Sequence, residues 1–149
     1  HLTLWKKELS DLFSLATENT NRMYHFVYKD ITKAITSNMA HLNLSPVDDE
    51  VSEDTLYVLY DPTKNVFGAS ALFLKDKIKA FSEVCGCDVY VLPSSIHELI
   101  LLRSDSPAAD LVRLKQMVRD VNREIVSEEE ILSDNVFYYC RETDKIVKM

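Results

Sequence analysis

Glycine is scarce in this chain. Only Gly68 and Gly86 occur among its 149 residues. Loops that cradle a phosphate group need several glycines, because a Cβ atom blocks the close approach of backbone N–H groups to the anion. The sequence therefore excludes Walker-type loops, the dinucleotide fingerprint of Rossmann folds, the glycine-rich loop of protein kinases and the Gly-x-Ser-x-Gly elbow of hydrolases.

Long apolar runs and an excess of positive charge are missing as well. No stretch approaches the ~18 to 20 apolar residues of a membrane-spanning helix, and no basic and then apolar signal region opens the chain. The 17 Lys and Arg residues against 24 Asp and Glu give a net charge of -7. Nucleic acids and anionic membranes are bound mainly through positive charge, so we expect neither as a partner and place the protein in the cytoplasm.

Cysteine occurs three times, which is an odd number in a chain without a secretory signal. Reduced thiols are therefore expected rather than a disulfide framework. Cys85, Cys87, Cys140 and His97 have the ligand types of a zinc site, but Cys-x-Cys lacks the usual spacing of two to four residues between paired ligands. Buried apolar cysteines are the alternative. We predict no metal and no other cofactor.

The residues that are present indicate one folded unit. Apolar residues make up 46% of the chain and charged residues 28%, which is typical of a globular protein and untypical of a disordered one. A chain of this length can bury one sizeable core, since domains most often have ~100 to 150 residues. The oligomeric state stays open.

Two sets of apolar residues at helical spacing open the chain and predict a pair of amphipathic helices. The first set lies in residues 5–16 and the second, beginning with Val27, in residues 27–35. We predict three parts within one compact unit: a helical arm (residues 1–45), an acidic connector (46–55) and an α+β core (56–149).

The core is predicted from apolar runs and from helical stripes bounded by turn residues. Strands are expected at residues 56–60, 89–92, 99–102, 136–140 and 145–147. Helices are expected at residues 74–85 and at 107–125 after a Ser106-Pro107 opening, and a capping box of Ser127 and Glu130 predicts the start of a further short helix at 127–130. The resulting order, β-α-β-β-α-β-β, matches the split βαβ arrangement, with a sheet whose helices pack on a face.

Hydroxyls, an imidazole and a carboxylate occur together only at residues 92–98, in the predicted turn between two strands. Under the hypothesis of a hydrolase, Ser94 or Ser95 is the nucleophile, His97 is the base and Glu98 orients the His97 ring. In an extended chain Ser95 and His97 would share a face roughly 7 Å apart, with Glu98 on the other face. The alternative is that the serines stabilise the turn, His97 ends a strand and Glu98 is solvated.

Three stretches of the sequence resemble an uncharacterised family: Glu18-Asn19-Thr20, residues 92–98, and residues 121–139, which read VNREIVSEEEILSDNVFYY. They are similar to domain-of-unknown-function family 5688 of clostridial gut bacteria, and the similarity runs across most of the chain. The family has no established activity, so the resemblance implies no catalytic or binding residues. It implies a longer parent protein with this chain as its C-terminal part, in keeping with the absence of a methionine before His1.

Three functions compete at this point. The leading hypothesis is a non-catalytic protein-interaction module of a larger protein, because no strong catalytic signature occurs and the arm carries apolar residues for a partner: Leu2, Leu4, Phe26 and Tyr28. The second is a hydrolase-like enzyme with its site at residues 94–98. The third is a regulatory nucleic-acid binder, whose basic residues would lie on the helix with Arg113, Lys115, Arg119 and Arg123, interleaved there with acids.

Overall fold

A computed structural model describes residues 1–40, 51–93 and 95–149 of the chain. Within these ranges five α-helices and six strands form an α+β fold, which confirms the predicted class. Residues 41–50, where the predicted arm ends and the predicted connector begins, lie outside the described residues. None of the described helices combines the length and the apolar character needed to cross a bilayer.

The elements form one open sheet with helices beside it. The helices are α1 (Leu2–Trp5), α2 (Leu9–Met23), α3 (Ile31–Ala40), α4 (Lys75–Cys85) and α5 (Leu111–Glu124), and a 3₁₀ helix (Gly68–Phe73) precedes α4. The strands are β1 (Val27–Asp30), β2 (Tyr57–Tyr60), β3 (Val89–Leu92), β4 (Leu99–Arg103), β5 (Phe137–Cys140) and β6 (Lys145–Lys148). All neighbours in the sheet are antiparallel, in the order β1-β2-β4-β3-β5-β6.

Strand β1 corrects the predicted second helix of the arm. Val27 begins a strand that pairs with β2, and the helix starts only at Ile31. The Asp30 side chain accepts a hydrogen bond of 2.7 Å from the backbone N–H of Thr32, as a residue at a helix start does. The spacing from Val27 onward is therefore produced by a strand followed by a helix, and part of the predicted arm is an edge of the sheet.

The ends of α5 also differ from the prediction. The chain makes a turn at Ser106, and α5 begins after Asp110, whose carboxylate accepts a 2.8 Å hydrogen bond from the backbone N–H of Arg113. The predicted helix at residues 127–130 is a single turn, closed by the backbone N–H of Glu130 on the carbonyl of Ser127 at 2.9 Å. Both serines act in turns, where a hydroxyl can bond to nearby backbone groups.

The predicted split βαβ unit is present, and a second such unit overlaps it. Strands β2 and β3 are both antiparallel to β4, which lies between them, and α4 connects them. Strands β4 and β5 enclose β3 in the same way and are connected by α5. Each crossover ends two positions further along the sheet, and both advance towards the β6 edge. Their starting strands, β2 and β4, run in opposite directions. Since such crossovers are right-handed, the two helices lie on opposite faces of the sheet rather than together on one.

Each face of the sheet has its own apolar core. Along β4, Leu99 and Leu101 belong to the core that contains Phe81 of α4, whereas Leu102 belongs to the core that contains Val118 of α5. Successive side chains of a strand point to opposite faces. The continuous apolar runs of the central strands are therefore explained by burial on both sides.

The sheet ends in two short edge strands, β1 and β6. Strand β6 pairs with β5 in the register Cys140↔Lys145 to Phe137↔Lys148, and Lys145 and Lys148 at its two ends are exposed. The outer edge of the sheet therefore carries a positive charge at each end of the last strand.

We predict that Phe81→Ala lowers the free energy of unfolding by about 3 to 5 kcal/mol, the range for aromatic truncation in a core. The Phe81 side chain is fully buried, and its ring contacts the rings of Tyr28 and Tyr57 with centroid separations of 5.0 and 5.3 Å. Urea unfolding monitored by circular dichroism measures the change. Val112→Ala on the exposed side of α5 is the control and should change stability by less than about 0.5 kcal/mol. Equal effects of the two substitutions would contradict this assignment of the core.

Candidate functional site

The turn between β3 and β4 contains the predicted catalytic residues. Ser94 lies outside the described residues. Ser95 is buried and forms an isolated bridge with Ile131. Its hydroxyl donates a 2.8 Å hydrogen bond to the Glu98 carboxylate and accepts a 3.0 Å hydrogen bond from the backbone N–H of His97. The hydroxyl therefore closes the turn with both its donor and its acceptor.

The His97 ring is held by groups outside this turn. Its Nδ1 accepts a 3.3 Å hydrogen bond from the backbone N–H of Phe67, and its Nε2 lies 3.1 Å from a carboxylate oxygen of Glu130. The neutral ring with its proton on Nε2 satisfies both contacts. The hydrogen bonds from His97 and from the Ser127 side chain hold the pKa of Glu130 below its usual range. Glu130 was predicted only as a helix-cap residue, and nothing in its sequence neighbourhood indicated this partner.

The structure thus brings two of the predicted groups together and separates the third. The Ser95 hydroxyl is bonded to Glu98, whereas neither ring nitrogen of His97 is bonded to the Ser95 hydroxyl. A serine nucleophile needs a base within hydrogen-bond reach of its hydroxyl. A small cavity of about 100 Å³ reaches His97 and Glu98 from the side of β2. The contacts favour the structural reading of this turn.

The 3₁₀ helix packs directly on this turn. The backbone N–H of Ala69 donates to the carbonyl of Ile96 at 3.2 Å. A Cβ atom on Gly68 would overlap the carbonyl oxygen of His97, so only glycine allows this approach. One of the two glycines of the chain therefore lets two backbone segments come together rather than shaping a ligand loop.

The cysteines and His97 do not form a metal site. Cys87 precedes β3 at the sheet end where β4 finishes, whereas His97 precedes β4 at the opposite end. A strand of this length separates the two ends by roughly 13 Å. Within the described ranges no three His, Cys, Asp or Glu side chains are arranged to hold a metal ion. Burial raises the pKa of the Cys85 thiol to about 12, with a further contribution from Cys87.

The basic residues of α5 are partly neutralised by acids on the same helix. Arg123 donates hydrogen bonds of 3.1 Å to Asp120 and to Glu124. Such pairs are typical of a solvated helix face, and they lower the positive charge that this face offers to a phosphate backbone.

Helix α2 is a long helix without a buried residue. It begins with a capping box in which the backbone N–H of Glu8 donates a 2.9 Å hydrogen bond to Asp11, and none of its fifteen residues is buried. Leu9 and Phe13, which share one face at a spacing of four residues, are 72% and 56% exposed. An amphipathic helix normally buries such a stripe. Here the stripe faces solvent.

The apolar stripe of α2 continues onto the body of the protein. The rings of Phe13 and Phe73 make an edge-to-face contact with centroids 5.8 Å apart. Phe73 also lines an apolar cleft of about 380 Å³. The cleft is lined by Phe67, Ala69, Ser70, Leu72, Phe73, Pro93, Ile96, Leu132, Ser133 and Phe137. We call Leu9, Phe13, Phe73 and this cleft the arm surface.

The residues expected to present the arm to a partner divide into two groups. Leu2 and Leu4 are exposed, with 36% and 78% of their surface accessible. Phe26 is buried, and the Tyr28 ring packs against Phe81 in the core. Both aromatic residues lie in the predicted helical arm, whereas in the structure Tyr28 belongs to β1 and Phe26 directly precedes this strand. Phe73 has no signal in the sequence, because its position beside Phe13 depends on the 3₁₀ helix.

Asp61 fixes the point at which α2 leads into the sheet. Its carboxylate is buried and accepts hydrogen bonds from the backbone N–H of His25 at 2.7 Å and from the backbone and side chain of Thr63 at 2.7 and 2.6 Å. Burial alone raises the pKa of Asp61, but these hydrogen bonds and one from Lys64 lower it to about 2. A single ionised side chain therefore joins the end of the arm to the loop after β2.

The chain was also compared with known proteins. A family model described as a family of unknown function (DUF5688) matches residues 1–141. The matched range includes α2, the turn at residues 95–98 and strands β1 to β5. No curated protein and no solved structure matches the chain.

We predict that Asp61→Asn lowers the free energy of unfolding at neutral pH by about 2 kcal/mol, because an amide NH₂ replaces an acceptor and the charge is lost. The folded pKa of Asp61 lies below its unfolded value, so this stabilisation is present above about pH 4 and is lost as the pH falls towards 2. Urea unfolding at a series of pH values measures it. Asp54→Asn, at an exposed position, should leave the profile unchanged. If Asp61→Asn lost stability below pH 4 as steeply as the unsubstituted protein, the pH dependence could not be assigned to Asp61.

Proposed function

The chain belongs to the DUF5688 family, and we propose that it is a non-catalytic protein-interaction module whose arm surface binds an amphipathic helix of another protein. The observation that carries the proposal is the exposure of α2. A fifteen-residue helix with an apolar stripe has no buried residue. Burying one Leu or Phe side chain is worth ~1.5 to 3 kcal/mol, so covering this stripe is a substantial source of binding energy.

The arm surface is held ready for a partner. Isolated helices of ~12 to 15 residues are marginal in water, so α2 depends on contacts with the rest of the protein. The Phe13–Phe73 ring contact and the hydrogen bond of Asp61 with His25, just after α2, supply them, and the capping box at Glu8 stabilises the helix start. A preformed surface loses less conformational entropy on binding than a disordered one.

The shape of the arm surface and the net charge of the chain favour a particular kind of partner. Leu9 and Phe13 form a ridge at helical spacing beside an apolar cleft, the arrangement that accommodates the apolar stripe of a second helix. The chain has a net charge of -7. Basic residues flanking the stripe of the partner would speed association and suppress acidic competitors.

The contacts at the β3–β4 turn favour the non-catalytic form of this proposal. The Ser95 hydroxyl is bonded to Glu98, and both nitrogens of His97 have partners. These groups hold the turn that forms one wall of the cleft. Three free cysteines, one of them buried, favour a reducing compartment, and we place the module in the cytoplasm on that basis.

Synthetic helical peptides provide a direct test. One peptide has leucines repeated every three to four residues with flanking lysines, a second replaces the lysines by glutamates, and a third scrambles the leucines. We predict that the first binds most tightly in fluorescence anisotropy and that Phe13→Ala weakens its affinity about tenfold or more, as loss of a buried aromatic anchor does. Ser14→Ala, at the next position of α2, should leave the affinity unchanged.

The outcomes separate the alternatives. Absence of binding by all three peptides, or equal effects of Phe13→Ala and Ser14→Ala, would overturn the proposal. Sedimentation of the protein alone identifies the remaining case: a dimer that Phe13→Ala dissociates would make the partner a second copy of this chain.

A further inference from the structure

A second apolar cavity lies on the α5 face of the sheet, away from the arm surface. It forms a groove of about 530 Å³ between α3 and α5, with β2 and β4 as its floor. The groove is lined by Ile31, Ala34, Ile35, Leu56, Val58, Leu92, Glu98, Ile100, Met117, Val118, Val121 and Ile125. Its volume is within the ~300 to 1,000 Å³ of small-molecule sites.

One charged side chain interrupts the apolar lining. Glu98 precedes β4 and shares a strand face with Ile100, because side chains two residues apart point the same way. Ala34, Val58 and Glu98 also line the neighbouring cavity of about 100 Å³. The other residues of that cavity are Tyr60, Asn65 and His97. Among the described residues that line either cavity there is no Lys and no Arg. The electrostatic character of the groove is therefore set by one carboxylate at its polar end.

The Glu98 carboxylate retains the capacity to bind a cation. One of its oxygens accepts the 2.8 Å hydrogen bond from the Ser95 hydroxyl, which fixes its position. An ionised carboxylate accepts at about four sites, so this bond uses only a part of them. Within the described ranges Glu98 makes no ion pair. A half-buried carboxylate beside apolar walls attracts a cation more strongly than one in water.

We propose that this groove binds a small hydrophobic cation, such as an alkyl or arylalkyl amine. The apolar part of the ligand lies between α3 and α5 on Val58, Ile100 and Val121. Its ammonium group donates hydrogen bonds to Glu98, close to the polar groups of Tyr60 and Asn65 at the mouth. The site shares no lining residue with the arm surface and is independent of the proposed interaction with a helix.

Three ligands of equal chain length test the charge preference. Octylamine, which is protonated at pH 7, octanol and octanoate are titrated separately by isothermal calorimetry at low salt. The octylammonium ion should bind about tenfold or more tightly than octanol, because a charge-assisted hydrogen bond replaces a neutral one. Octanoate should show no measurable binding. Equal affinities of amine and alcohol, or tighter binding of octanoate, would overturn the proposal.

Paired substitutions locate the site. Glu98→Gln keeps an acceptor for Ser95 but removes the charge, so it should reduce the affinity for octylammonium to that for octanol. Glu124 is an exposed acid of α5 that does not line the groove, so Glu124→Gln should leave the affinity for octylammonium unchanged. Val121→Trp fills the groove and should abolish binding of both ligands, whereas Val112→Trp on the exposed side of the same helix should not. If Glu98→Gln still preferred octylammonium to octanol, Glu98 could not be the group that binds the ammonium.

A measurement on the unsubstituted protein keeps the test decisive if a variant fails to fold. Intermolecular nuclear Overhauser effects between the octyl chain and the methyl groups of Val58, Ile100 and Val121 are expected. Effects only to residues of the arm surface would place the ligand elsewhere and overturn the proposal.

Discussion

Two strand–helix–strand crossovers of the same hand determine the layout of this fold. They start from β2 and β4, which point in opposite directions, and both advance towards the same side of the sheet. A right-handed path then carries α4 over one face and α5 over the other. This explains why the central strands are apolar on both faces and why the protein has two separate cores.

Much of the fold could be predicted from local patterns, and the missing parts depend on distant contacts. The apolar runs of the core strands and the stripe of α4 ending at Gly86 are local signals, and each element is present. The strand at Val27 could not be recognised, because it is stabilised by β2, with Val27 opposite Tyr60. Its spacing to Ile31 fits a helix equally well. The pairing with β2, and not the local spacing, makes this segment a strand rather than a helix.

The candidate site shows the same division between near and distant partners. Ser95 and Glu98 are three residues apart, and both lie in the polar turn that the sequence predicts. The partners of His97 come from Phe67 and Glu130, which are 30 and 33 residues away in the chain. The turn they fix lies between the two large cavities: Ile96 lines the cleft and Glu98 lines the groove. The polar side chains that resemble a catalytic set therefore hold the turn that separates the apolar cleft from the apolar groove.

The lysines at the ends of β6 restrict how copies of this protein can associate. An uncovered strand edge exposes unpaired N–H and C=O groups that can pair with another chain and extend the sheet without limit. If two copies paired along their β6 strands, Lys145 and Lys148 of one copy would lie close to the lysines of the other. The repulsion between these positive charges opposes such pairing. Growth into a continuous intermolecular sheet is thereby disfavoured. Protection from aggregation is built into the last four-residue strand of the sheet, which leaves the helical surfaces free to carry apolar side chains.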